Sequence, residues 1–397
     1  MKRALFRVLA LTLAAMVFLS FTGLALTDSK AAPKEALRFN EEGKFRLMMI
    51  NDTQDTDRVN PRLVKFINSA LDAIQPDLVV FVGDNVADAF FGATDAKVEK
   101  AISHIIKPLE VRNIPFIVTF GNHDAETGVS NDRQMEMYKA YENCYVDVNI
   151  NYGDLKDQGP EEGVYSGDYS LPILSSDAGK VAFNIFTMDT HNRDEITRGY
   201  DGVYPDQIEW YEGVSQKQKA ANGGEAVPSL LFQHISVPEI VKLMKVVPAG
   251  TPNARRRGTT WRVLDEELYI NGNFGEASYP SETDRKIEQY DSWLEQGNIA
   301  GAFFGHDHCN SFMGRTRDGI ILGYNGGAAF RSYGDGDKRS VRVFDIDEKD
   351  PWNYESHLRT YGELTGERFD LYITDIFSLR WFDLLLEKFI GLFVDFS

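Results

Sequence analysis

Cysteine is scarce in this sequence. Only Cys144 and Cys309 occur among 397 residues, which excludes a fold held together by a disulfide framework. An oxidising compartment would allow one bridge between them, but we expect two unpaired, buried thiols. No cysteine lies near the apolar N-terminal segment, which excludes a lipid-modified cysteine there.

Basic residues are also few. The chain has 42 Lys and Arg against 60 Asp and Glu, a net charge of -18. This balance argues against nonspecific nucleic-acid binding, which depends on neutralising phosphates with basic side chains. An anionic substrate would need a local positive field, such as a bound metal provides. The apolar content of 43% is ample for a large core.

The N-terminal segment, residues 1–26, is typical of a targeting sequence. Lys2, Arg3 and Arg7 are followed by an uncharged, mostly apolar run over 8–26. Small residues after the run suit cleavage of a signal peptide, whereas its length suits an uncleaved membrane anchor. Both interpretations predict an extracytoplasmic protein, secreted or membrane-anchored. We interpret residues 27–44, which are polar, as a linker.

Strands and helices alternate from residue 45 onwards. The pattern predicts strands at 45–52, 77–85 and 115–124, with helices at 61–74 and 95–110 between them. This βαβαβ order favours an α/β fold with right-handed crossovers. Further on, 131–142 and 206–222 are predicted to be helical. Residues 143–165 are predicted to form a Gly- and Asp-rich loop. The long span 246–282 has no clear periodicity and is predicted to be a loop of the kind that often serves as a lid.

Several predicted strands end in residues that can bind metals. These are Asp52, Asp84, Asn122 and His123, His234, and His306 with His308. The carboxyl ends of strands are where open α/β sheets place their ligands. Mixed oxygen and imidazole donors suit Mn, Fe, Zn or Co. A bridging aspartate with two further sets of donors fits a pair of ions roughly 3.5–4 Å apart.

The order of these motifs, GD, GNHD, H and GHDH, resembles the calcineurin-like metallophosphoesterase superfamily. The strings QHISVPE (233–239), GHDHCNSF (305–312) and YDGVYPDQIEWY (200–211) resemble its purple-acid-phosphatase-like branch. The resemblance implies a four-layer α/β/β/α sandwich over residues 45–350, followed by an extension over 351–397. It also implies a dinuclear metal centre.

The resemblance assigns roles to individual residues. Asp84 would bridge both ions; Asp52 and His308 would bind the first ion, and Asn122, His234 and His306 the second. A metal-bound hydroxide would attack phosphorus in line. His123 would protonate the leaving group or hold a phosphoryl oxygen. Asp124 would orient the His123 ring.

Two positions depart from the family pattern. Gln54 stands where the family usually has a metal-binding histidine, and its carbonyl oxygen is a poorer donor than imidazole. We therefore expect weaker or differently selective binding of the first ion. Ala87 stands where purple acid phosphatases have a tyrosine, so we expect no ferric charge-transfer colour.

Three further features have two interpretations each. His191 is either an additional metal-site residue or a structural histidine. Arg255, Arg256 and Arg257 either meet a substrate phosphate or form a solvated run. The apolar helix predicted at 375–396, with its narrow polar stripe, either docks on protein or lies in a membrane interface. Membrane association is thus predicted through either terminus.

The sequence predicts an exported phosphoesterase that hydrolyses phosphomonoesters or phosphodiesters and takes a small phosphorylated substrate. The alternative is a non-catalytic, cell-surface metal-binding protein on a degenerate phosphoesterase fold. Gln54 would then be the first ligand lost. The other predicted ligands, which are all retained, argue against this alternative.

Overall fold

A computed structural model describes residues 33–87, 93–192, 200–277 and 288–368. It divides into a unit of residues 1–35 and a unit of residues 36–397. In the first, Lys34–Glu35 forms the short strand β1. The predicted targeting segment at 1–26 and the predicted helix at 375–396 lie outside the described residues. Among the helices that are described, none has the length and apolar character needed to cross a bilayer.

A five-stranded sheet forms one half of the larger unit. Its strands are, in chain order, β2 (Lys44–Ile50), β3 (Leu78–Val82), β4 (Phe116–Thr119), β17 (Ser340–Asp347) and β18 (Glu355–Thr360). The spatial order is β18-β17-β2-β3-β4. Strands β2, β3 and β4 run parallel, and β17 pairs antiparallel with both β2 and β18. Every residue of β3 and β4 is buried, as expected for parallel strands covered on both faces.

Two crossover helices connect the parallel strands. Helix α1 is Pro61–Ile74, and helix α2 is Asp95–Glu110. Asn60 caps α1 by accepting the backbone N–H of Arg62, and Pro61 occupies the first helical position. Both ranges agree with the sequence prediction, because capping and periodicity are local signals.

An eight-stranded sheet forms the other half. Its strands are β6 (Glu161–Glu162), β7 (Tyr169–Leu174), β8 (Val181–Met188), β9 (Ser229–Gln233), β13 (Tyr269–Asn271), β14 (Ile299–Phe304), β15 (Met313–Arg315) and β16 (Ile321–Tyr324). The spatial order is β13-β15-β16-β14-β9-β8-β7-β6. The inner strands β16, β14, β9 and β8 are parallel. The buried faces of helices α4 (Pro205–Ala221) and α5 (Gln289–Gln296) belong to the same apolar cluster as residues of this sheet.

The two sheets pack face to face. The ring of Phe344 on β17 lies 4.6 Å from that of Phe303 on β14 and 5.6 Å from that of Phe232 on β9. On the outer face of the larger sheet, Phe186 of β8 lies 5.1 Å from Tyr211 of α4. The buried faces of α1 and α2 belong to the same apolar core as the five-stranded sheet. The layers are therefore α/β/β/α, which confirms the predicted fold class.

The two spans predicted to be irregular contain regular elements. Strands β10 (Met244–Val247), β11 (Arg255–Arg257) and β12 (Thr260–Leu264) form a small antiparallel sheet. Strand β5 (Ile150–Asn151) and a 3-10 helix (Gly153–Gln158) lie within 143–165. The prediction of loops was wrong for these stretches. Most of their residues are partly exposed, so their sequences carry little apolar alternation.

The compact body extends beyond residues 45–350 in both directions. Phe39, within the predicted linker, is 1% exposed, and its N–H donates to the carbonyl of Leu174. Past residue 350, β18 joins the five-stranded sheet. It is followed by a short helix, α6 (Tyr361–Thr365), which packs on α1. The rings of Tyr361 and Phe66 lie 5.7 Å apart in this contact. The remaining helix, α3 (Asn131–Lys139), is shorter than predicted.

Neither cysteine forms a disulfide with a described residue, which confirms the prediction that the two are not bridged, but the prediction that both are buried holds for Cys144 only. Cys144 is buried, whereas Cys309 is half-buried. Burial and the carboxylate of Glu276 raise the pKa of the Cys309 thiol to about 12. That thiol therefore stays protonated at neutral pH and is a poor nucleophile.

Candidate metal centre

The loops after β2, β3, β9 and β14 bring predicted metal ligands together. Nε2 of His234 lies 3.1 Å from Oδ2 of Asp84 and 3.9 Å from Oδ1 of Asp52. Nε2 of His308 lies 3.1 Å from Oδ1 of Asp52. One donor atom each from Asp84, His234 and His306 lies within 4.8 Å of the others. These side chains could hold a metal ion.

Several donor atoms of the centre are buried and make no hydrogen bond of good geometry with the described residues. They are Oδ1 of Asp52, Nε2 of His234, and both amide atoms of Asn122. An unsatisfied buried polar atom costs about 1–3 kcal/mol, so such atoms rarely cluster without a reason. A cation would satisfy the two oxygens and the imidazole nitrogen. The donor set therefore fits a metal centre.

The ring nitrogens facing away from the centre fix the histidine tautomers. Nδ1 of His234 lies 3.0 Å from the Val82 carbonyl, and Nδ1 of His308 lies 2.7 Å from the Tyr333 carbonyl. A carbonyl only accepts, so each Nδ1 carries the hydrogen and donates it. Nε2 is thereby left to face the centre, which is the usual arrangement of metal-binding histidines.

The two carboxylates create a strong negative field in the centre. Burial opposes the charged form of His234, yet the carboxylates of Asp84 and Asp52 raise its pKa to about 10. Burial, reinforced by the nearby His234, lowers the pKa of His306 to about 3. A proton on His234 partly balances the carboxylates, and metal binding would have to release it.

The backbone of the centre is strained. Asp52, Asp84 and His306 have φ values of 51°, 51° and 69°, in the left-handed region. Each such residue costs roughly 1–2 kcal/mol, and strain of this kind concentrates at functional sites. The packing is also close, because a Cβ at Gly121 would lie only 2.4 Å from Oδ1 of Asp84. Glycine is therefore required in the GNHD motif.

Asp124 supports the backbone of the centre. Its carboxylate is fully buried and accepts four backbone N–H groups at 2.8–3.1 Å, those of Asp84, Asn85, Val86 and Gly121. The prediction that Asp124 orients the His123 ring is wrong, because both of its oxygens face these N–H groups. It instead shapes the loop that carries Asp84.

The partner of the His123 ring is Glu126, which the sequence analysis missed. Nδ1 of His123 lies 2.5 Å from Oε2 of Glu126. The 3-10 helix Ala125–Thr127 turns the chain so that residue 126 returns to residue 123. The spacing of three residues was the available signal. The His123 side chain is 37% exposed, so its ring can meet a substrate.

Gln54 lies in the centre, but its side-chain nitrogen faces Asp84. Its amide nitrogen donates to Oδ2 of Asp84 at 3.0 Å, and a carboxylate oxygen can only accept. A nitrogen that carries hydrogens does not bind a metal. Ligation by the Gln54 carbonyl oxygen stays a prediction, and it would require the amide to turn over.

The remaining candidates have structural contacts. The His191 ring stacks on Tyr204 at 4.0 Å, and its Nε2 lies 3.0 Å from Oε1 of Gln207. These contacts are those of a structural histidine. Arg255 lies on β11, and its Nε donates to the carbonyl of Gly275. The two interpretations of the three arginines stay open.

Two curated relatives are similar to this chain over most of its length. "Probable inactive purple acid phosphatase 29" of Arabidopsis thaliana is 25% identical over 385 residues, covering 88% of this chain and 90% of the relative. "Phosphatase DCR2" of Saccharomyces cerevisiae is 24% identical over 375 residues, covering 87% of this chain and 57% of the relative.

Among solved structures, a dimetal phosphatase from Danio rerio aligns with 80% of this chain and 99% of its own, at 12% identity and a TM-score of 0.44. Residues 45–310 match the family Calcineurin-like phosphoesterase. This match spans more than half of the chain, which therefore belongs to the calcineurin-like phosphoesterase family.

Proposed function

We propose that this protein is an exported, metal-dependent phosphoesterase that hydrolyses phosphomonoesters or phosphodiesters at a dinuclear centre. The observation that carries the proposal is the convergence of Asp52, Asp84 and His234, whose donor atoms are buried and partly unsatisfied. Export is supported by the composition of residues 1–26. Because the chain has a net charge of -18, an anionic substrate needs a local positive field, which bound metal ions would supply.

Each side chain of the centre has a task in this proposal. Two divalent ions would supply Lewis acidity and lower the pKa of water. Asp52 and His308 would hold one ion, Asn122, His234 and His306 the other, and Asp84 both. His123 donates a proton to the leaving group, while Glu126 keeps its ring in position.

The first test is hydrolysis of a chromogenic phosphomonoester beside its diester. The purified protein is stripped of metal and reloaded with Mn, Fe, Zn or Co. Turnover that follows the metal supports the proposal, and the better ester defines the substrate class. Stoichiometric metal without turnover of either ester supports the non-catalytic alternative, in line with the word inactive in the name of the Arabidopsis thaliana relative.

Gln54→His is expected to raise the affinity for the weaker of the two ions by about tenfold or more, because imidazole replaces a non-ligating amide nitrogen. Isothermal calorimetry with Mn²⁺ and Zn²⁺ measures this change. Gln216→His, on an exposed position of α4, controls for metal binding by any added histidine. Equal affinities for the wild type and Gln54→His would show that residue 54 does not reach the ion.

Glu126→Gln is expected to lower kcat roughly ten- to a hundredfold with unchanged metal content, because His123 loses the carboxylate that holds its ring in position for proton donation. The loss should be larger for an alkyl ester, whose leaving alkoxide needs a proton, than for a nitrophenyl ester. Glu136→Gln is the control, since Glu136 pairs with Arg133 at the surface. Equal losses for both esters would argue against proton donation by His123.

A further inference from the structure

Two exposed tyrosines border the metal centre. The tyrosines of the described residues that count as exposed are Tyr200, Tyr269 and Tyr333, at 38%, 41% and 49%. Of these tyrosines, Tyr333 and Tyr200 are in contact with histidines of the centre. The Tyr333 ring lies 4.2 Å from the His308 ring, and the Tyr200 ring lies 4.3 Å from the His306 ring.

The Tyr333 side chain is not needed to orient His308. The rings are parallel within 2°, but His308 is fixed by donating its Nδ1–H to the backbone carbonyl of Tyr333, not by the Tyr333 side chain. Any side chain at position 333 could supply that carbonyl. One face of the ring covers His308, and about half of the side chain is exposed to solvent beside the centre.

Tyr200 approaches the neighbouring ligand with a different orientation. Its ring meets that of His306 at 76°, edge to face. The hydroxyl of Tyr333 lies 3.4 Å from the carbonyl of the same His306. Both tyrosines are therefore next to the short segment 306–308, which supplies a predicted ligand to each ion. Each ring thus lies within 4.3 Å of the ring of a predicted metal ligand, at the border of the centre where a phosphoester would bind.

Flat, partly apolar rings at such a position suit a flat, apolar ligand. Aromatic rings prefer stacked or edge-to-face partners, and such contacts add to the gain from removing apolar area from water. We propose that Tyr333 and Tyr200 bind the leaving group, so that the preferred substrates are phosphoesters of a planar aromatic ring. This inference rests on the proposed function and names the substrate class of the same centre.

The test compares phenylphosphonate with cyclohexylphosphonate, which share the phosphoryl group and ring size but differ in planarity. Their P–C bonds are not hydrolysed, so binding to the Mn²⁺-loaded full chain is measured by calorimetry independently of turnover. The wild type is expected to bind the phenyl compound roughly three- to tenfold more tightly. Tyr333→Leu should lose most of that preference while keeping its affinity for the cyclohexyl compound.

Two further variants complete the experiment. Tyr200→Leu should also weaken the preference, which keeps the test valid if Tyr333→Leu fails to fold. Tyr269→Leu should keep it, because Tyr269 lies on the edge strand β13 and its hydroxyl donates to the carbonyl of Gly272.

Equal affinities of the wild type for both compounds, no binding of either, or a preference unchanged in both tyrosine variants would overturn the inference. Hydrolysis assays on the same preparations separate the two proposals. Ester turnover without an aromatic preference overturns only this inference. An aromatic preference without turnover of any ester supports the binding site and overturns the proposed activity.

Discussion

Asp84→Asn is expected to abolish metal-dependent hydrolysis, with a fall in metal affinity of at least about a hundredfold. Changing a residue that merely orients a metal ligand lowers metal affinity or activity about 10- to 100-fold. Removing a central ligand should lower them by at least as much. Asp84 is 1% exposed and lies 3.1 Å from His234. Asparagine keeps the shape and can still accept the N–H of His123, but one of the two negative charges facing His234 is lost.

The measurement is metal content after dialysis, together with kcat/KM for the ester that the wild type prefers. Asp154→Asn is the matched control, because Asp154 is exposed in the 3-10 helix Gly153–Gln158. It should retain the metal content and activity of the wild type. Unchanged metal content and activity in Asp84→Asn would remove the proposed centre from the reaction.

Asp124→Ala is expected to lower the free energy of unfolding by roughly 3–6 kcal/mol, because it leaves four buried N–H groups without their acceptor. The loss arises in the loop that carries Asp84, so metal affinity should fall as well. Urea denaturation of the metal-free protein measures the loss of folding stability separately from the loss of metal affinity. A loss this large approaches the whole stability of an ordinary domain, about 5–15 kcal/mol.

Asp124→Asn provides a graded variant, since its amide oxygen can keep part of the interaction with the backbone N–H groups. It should lose less stability than the alanine variant. Asp157→Ala, at an exposed position, should change the free energy of unfolding by no more than about 0.5 kcal/mol. A loss below about 1 kcal/mol in Asp124→Ala would mean that the loop holds its shape without this carboxylate.

The alternation of strands and helices was predictable because it depends on neighbours in sequence. Continuous apolar residues mark β3 and β4, and an asparagine cap with Pro61 marks the start of α1. The GD and GNHD motifs identified the residues at the strand ends. Short, partly exposed strands such as β11 carry no such signal, and their pairing becomes visible only in the folded chain.

The sequence by itself thus determined the α/β order, the layers that its family resemblance implies, and the residues that could gather at the strand ends. The tertiary structure decided what each of them contacts. Oδ2 of Asp52 accepts the N–H of His306, 254 residues away, and Asp124 accepts the N–H of Asp84, 40 residues away. Local propensity depends on residues a few positions apart, whereas these contacts exist only because separate loops meet at one edge of two packed sheets.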